Sequence, residues 1–165
     1  ITLSYALSFE KAHPETMARP PRNPEEKILS LHSLFRILYV ALLITVPAYL
    51  LSAQAANPVV AQTMLLQSIV LSQAFYMINC RELTDLPLNK SLLENKAIWI
   101  SFGALAILQA SLLVVPFMQN LIGTTSLTLG QQLTLFLASG VIFLLVELEK
   151  KIVKGILARR NQQTA

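Results

Sequence analysis

The chain has 165 residues, of which 54% are hydrophobic and 13% charged, with a formal net charge of +4. That composition excludes an ordinary soluble helical bundle, because such a bundle needs a polar face on every helix and residues 38–51 offer none. Nucleic-acid binding is not needed to explain the basic excess, since the Lys and Arg residues flank apolar stretches, where headgroups and topology account for them. The single cysteine, Cys80, excludes an internal disulfide and a thiolate metal pair, and His13 and His32 have no ligand spacing.

Residues 1–9 are apolar but too short to span a membrane, and they lack the basic start and cleavage site of a signal peptide. They read as the last turns of a helix whose beginning is missing, so the chain is expected to be a piece of a longer protein. Residues 10–27 are polar and contain Pro14, Pro20, Pro21 and Pro24, which exclude a continuous helix there. Two long stretches then carry no Asp, Glu, Lys or Arg, residues 37–80 and residues 97–146. A helix rises about 1.5 Å per residue and the bilayer core is about 30 Å thick, so each stretch holds two crossings and a turn.

The first span covers about residues 34–53, with Pro47 as a kink. Asn57-Pro58 marks the turn, and Pro58 suits the first turn of a second span that runs to Cys80. Residues 81–96 form a charged loop with Pro87. The third span covers about residues 97–118, with Pro116 near its end, and residues 119–130 form an uncharged loop. The fourth starts near Gln131, and its apolar part ends at Val146. It continues as a basic amphipathic extension over residues 147–160, before a polar tail at 161–165. The expected fold is thus an all-α membrane protein with four transmembrane helices arranged as two hairpins. Its parts are a leading segment and loop over 1–33, a four-helix bundle with its basic exit over 34–160, and the tail.

Orientation follows from charge. The N-terminal segment, the middle loop and the C-terminal segment hold all 13 Lys and Arg, and the two hairpin turns hold none. Positive charge marks the cytoplasmic side, which puts both termini in the cytoplasm. Lys150, Lys151, Lys154, Arg159 and Arg160 are expected to contact anionic lipid headgroups.

No phosphate loop, His-Glu-x-x-His, nucleophile elbow or cysteine pair is present, and no ionisable residue stands near the middle of a span. The second span carries a polar stripe, in which Gln73, Tyr76 and Asn79 fall on neighbouring parts of one face. Interhelical hydrogen bonding is one reading of it; the other is that Gln73 supplies a neutral oxygen to a cation. In the fourth span, Ser139-Gly140 forms a small patch suited to close helix approach.

The segment containing Glu10, Pro14 and Met17-Ala-Arg19-Pro20-Pro21-Arg22 resembles the cytoplasmic loop between the sixth and seventh membrane helices of P-type cation-transporting ATPases of the calcium-pump and sodium-pump type. In the same order, Gln73 to Arg81 is similar to the end of that family's eighth helix. Asn89 to Lys96 resembles the loop before the ninth, and Glu147 to Lys154 the charged exit of the tenth.

This resemblance implies that the four spans are the family's helices seven to ten. The parent would be a multi-pass pump of the cell membrane that uses ATP and Mg and phosphorylates an Asp in an Asp-Lys-Thr-Gly motif. That motif is absent here, so the chain itself implies no cofactor and no catalytic residue. Its partners would be the lipid bilayer and the other membrane and cytoplasmic domains of the pump. By the same resemblance Gln73 aligns with an ion-site position of the eighth helix, and Tyr76 stands where the family has Asp or Asn. Met17, Arg19, Pro20, Pro21 and Arg22 would form a loop coupling the phosphorylation domain to the ion helices. The expected function is a membrane-support module of such a pump. The alternative is a free-standing four-helix membrane scaffold or assembly subunit.

Overall fold

The computed structural model describes residues 31–81 and 96–163. The Pro/Arg loop at Met17, Arg19, Pro20, Pro21 and Arg22 lies outside the described residues. So do the middle loop over 82–95 and the side chains of Lys154, Arg159 and Arg160.

The described residues are helical and contain no strand: α1 Leu31–Ser52, α2 Pro58–Arg81, α3 Lys96–Val114, α4 Pro116–Ile122 and α5 Leu129–Gln163. Four of these are long and apolar enough to cross a membrane, over Ser33–Ser52, Pro58–Cys80, Lys96–Val114 and Leu129–Ile152. Their large apolar side chains point outward, Leu42, Ile107, Val114 and Leu144 among them. Buried positions, by contrast, include Thr63, Gln67, Ser68, Ser72, Asn79, Ser139 and Lys150. An apolar outside over an interior that mixes apolar and small polar residues is unlike a water-soluble bundle. It suits lipid, where tails solvate Leu as well as a protein core does and helices associate through close packing and hydrogen bonds.

The central element is α2, which packs most extensively on α5 and next on α1. The α2 and α5 helices run parallel, since Ser72 meets Ser139 and Asn79 meets Phe143. The buried residues of α1 are Val40, Ile44, Ala48 and Ser52, a ridge with a repeat of four. At one end of the bundle Val40 and Ile44 join Ile142 and Val146 of α5; at the other, Met64 joins Leu127 and Leu135. The α1 helix is continuous through Pro47.

Helix starts and stops follow local chemistry. The side chain of Asn57 accepts the Val59 N–H at 2.9 Å, with Pro58 as the first helical residue, as the sequence suggested. The third span, however, does not run to Met118. Proline forces the preceding residue out of the helical region, and Val115 sits at φ −85°, ψ 113°, separating α3 from α4. Pro116 has no N–H for the Leu112 carbonyl, and the Thr124 hydroxyl supplies the missing donor at 2.9 Å. The amide of Gln119 does the same for Leu113, at 2.6 Å. Gly123, at φ 74°, closes α4 in the left-handed conformation that glycine adopts without strain. The last helix begins two residues before Gln131, at Leu129, because Thr128 and Gln131 form a reciprocal capping box.

Candidate functional site and family

Buried small polar residues on α2 fall on two faces. On one, the Thr63 hydroxyl donates to the Val59 carbonyl at 2.8 Å and accepts the Thr125 N–H at 3.0 Å. Gln62 donates to the Ile122 carbonyl at 3.3 Å, so the stretch between α4 and α5 is pinned to the start of α2. Gln67 reaches the Gln109 carbonyl at 3.5 Å, a long contact and one of few between α2 and α3.

The other face forms a seam with α5. Ser139 gives its only hydroxyl proton to the Leu135 carbonyl at 2.9 Å. In the Ser72–Ser139 contact of 3.2 Å, Ser72 is therefore the donor. Both residues are fully buried, and their small side chains let the two backbones approach. Phe75 stacks edge-on against Phe136, with ring centroids 5.3 Å apart. Gly140 lies to one side: a Cβ built on it would meet nothing within 4 Å, so the close approach belongs to Ser139 alone.

At the end of the seam, Asn79 is fully buried and donates through Nδ2 to the Phe143 carbonyl at 3.2 Å. Its own backbone carbonyl lies in the last described turn of α2. The Lys150 ammonium donates to it, with Nζ 3.0 Å from the Asn79 oxygen and 3.1 Å from Glu147 Oε2. Lys150 is thus not a headgroup contact. Its side chain is 6% exposed and caps α2 from the neighbouring helix, at the negative end of the α2 dipole. Lys151, one residue on, is exposed, where headgroups are within reach.

The two ion-site candidates part company. Tyr76 is half-buried and packs against the cluster of Val40, Ile44, Ile142 and Val146. Gln73 is exposed on a side of α2 that neither α1 nor α5 covers, and it makes no hydrogen bond to a described residue. Among the described residues, no group of three or more His, Cys, Asp or Glu side chains is placed to hold a metal. Sequence reasoning missed the Lys150 cap, although Ser139, Ile142, Val146 and Lys150 recur at spacings that keep one helical face.

A family profile described as cation transporting ATPase, C-terminus, matches residues 1–152. The chain belongs to this family. Curated relatives include the probable cation-transporting ATPase F of Mycobacterium bovis and of Mycobacterium tuberculosis. Each is 29% identical over 150 residues, covering 88% of this chain and 17% of the relative. The calcium-transporting ATPase 1 of Yarrowia lipolytica is 28% identical over 154 residues, covering 91% of the chain and 17% of the relative. The chain therefore spans about a sixth of the length of these relatives. As a cation-transporting ATPase C-terminal region it is an integral, multi-pass membrane unit, and the resemblance read in its motifs holds.

Proposed function

We propose that this chain is the C-terminal support module of an ATP-driven P-type cation pump of the cell membrane. It anchors the pump and braces the helices that carry ions, while ATP and Mg act in other domains. The supporting observation is the family match over residues 1–152, which falls on a bundle joined by neutral hydroxyls and amides and by one capped helix end. In proteoliposomes holding the full-length protein, ATP should drive cation uptake. A reading frame with no Asp-Lys-Thr-Gly segment upstream of this chain would replace the proposal with the free-standing scaffold.

The end of the bundle bearing Arg36, Arg81, Lys96 and Lys150 faces the cytoplasm in this reading, because the hairpin turns hold no Lys or Arg. Alkaline phosphatase fused after Asn57 or Thr125 should be active outside the cytoplasm, and inactive when fused after Leu88. The reverse pattern would invert the topology.

Gln73 and the Pro/Arg loop are proposed to serve the pump in different ways. An amide is costly to leave facing lipid, so the exposed Gln73 is well placed to meet a helix or an ion beyond these spans. Gln73→Ala in the full pump should weaken apparent ion affinity by about two- to tenfold, the size of one lost hydrogen bond, with expression intact. Unchanged ion activation would remove the ion-site role. The paired Arg19 and Arg22 beside two stiff prolines offer multiple donors to the phosphorylation domain. Replacing both with Ala should slow ATP turnover without changing ion affinity, and normal turnover would rule out coupling.

A further inference from the structure

We infer that the groove between α1 and α5 at the basic end binds one phospholipid with a primary ammonium headgroup, of the phosphatidylethanolamine type. The groove measures about 480 Å³, and its walls include Arg36 and Tyr39 from α1 and Leu145, Leu148 and Glu149 from α5. Volumes of about 300–1,000 Å³ are usual for ligand pockets. Two properties distinguish this groove from the rest of the outer face of these spans.

The first is depth. Arg36 stands at the start of the span Ser33–Ser52, and Glu149 near the end of the span Leu129–Ile152. Both charges therefore lie at the level of headgroups. Tyr39 and Leu145 are a turn deeper, beside the acyl chains.

The second is complementarity. Arg36 Nε is buried with no acceptor, and Glu149 Oε2 is buried with no donor. Among the described residues, neither atom has a hydrogen-bond partner. One wall thus offers an unused cationic donor and the other an unused anionic acceptor. A zwitterionic headgroup answers both, with its phosphate on the planar guanidinium and its ammonium donating to the carboxylate. A glycerol headgroup brings no cation to Glu149, and a choline headgroup brings no N–H. Leu148, 54% exposed, closes the apolar side of the groove.

The inference rests on the membrane reading and not on ATP-driven transport, so lipid retention tests it separately. Native mass spectrometry of the detergent-purified full-length protein would be titrated with phosphatidylethanolamine, phosphatidylglycerol and phosphatidylcholine of one acyl composition. One ethanolamine lipid should be held about tenfold more tightly than either of the others, the size of one charge-assisted hydrogen bond. Glu149→Gln should erase that preference, and Arg36→Gln should weaken all three lipids. Leu148→Trp should fill the groove and expel the lipid with both charges in place. Equal retention of the three lipids would overturn the site, as would ethanolamine-lipid binding unaffected by Leu148→Trp. A disulfide formed readily between Phe35→Cys and a cysteine in another span of the same protein would also overturn it, by showing protein in the groove.

Discussion

Lys150→Met is expected to destabilise the membrane bundle by about 3–5 kcal/mol, the usual cost of removing one partner from a buried ion pair. The ammonium serves two acceptors at once, the Asn79 carbonyl at 3.0 Å and Glu147 Oε2 at 3.1 Å. With Met in its place, the Asn79 carbonyl loses this donor and Glu147 keeps a largely buried charge without its cation. Both groups are largely buried inside the bundle, so water does not readily take the place of the ammonium. Thermal unfolding in detergent, followed by size-exclusion of the fluorescent-tagged protein, measures the effect. Lys151→Met supplies the control: Lys151 is exposed, and its loss should fall within about 0.5 kcal/mol. Adding Glu147→Gln to Lys150→Met should recover part of the loss, because the stranded charge is then gone. Equal melting of the Lys150 and Lys151 variants would show that the cap contributes nothing.

The contrast between these adjacent lysines marks the limit of what the sequence told. Number, length and apolar character of the spans were legible, because a bilayer demands about 20 apolar residues and the chain keeps charge out of two long stretches. The family was legible too, from ordered short motifs in the loops and helix ends. Which side of each helix meets which neighbour was not. In a soluble helix the apolar stripe identifies the buried face, whereas in lipid Leu and Val can point either way. The signal that remains is polar. Ser72 and Asn79 on α2, with Ser139 on α5, mark the packed seam because leaving their groups unpaired in hydrocarbon is unfavourable. Asn79 bridges two helices, as one reading of the polar stripe anticipated. Gln73, only six residues earlier, turns away from that seam. The end of the third span failed for a local reason: composition runs apolar through Pro116, but the missing N–H breaks the helix, and Thr124 from beyond the break restores its carbonyl partner.

The same seam yields a sharp contrast between two neighbouring small residues. Ser139→Leu should destabilise the bundle by about 1–3 kcal/mol or more, since overpacking a closed contact forces backbones apart. Ser139 is fully buried with its oxygen 3.2 Å from Ser72, and a leucine there would have to displace α2 along its main partner. Loss of the hydroxyl alone is a smaller matter: Ser139→Ala should cost about 0.6 kcal/mol, the average for an interhelical hydrogen bond in a membrane. Gly140→Ala should be neutral or stabilising by up to about 1 kcal/mol, because alanine is the better helix former. Its new methyl group meets no atom within 4 Å. Were residue 140 the point of closest approach, as a stretch of small residues alone suggests, the order would invert and Gly140→Ala would be the damaging change. Melting temperatures of the three variants decide between these outcomes. A Ser139→Leu variant as stable as the wild type would mean that α2 and α5 are held together elsewhere, by the aromatic contacts of Phe75 or by the Asn79–Lys150 cap.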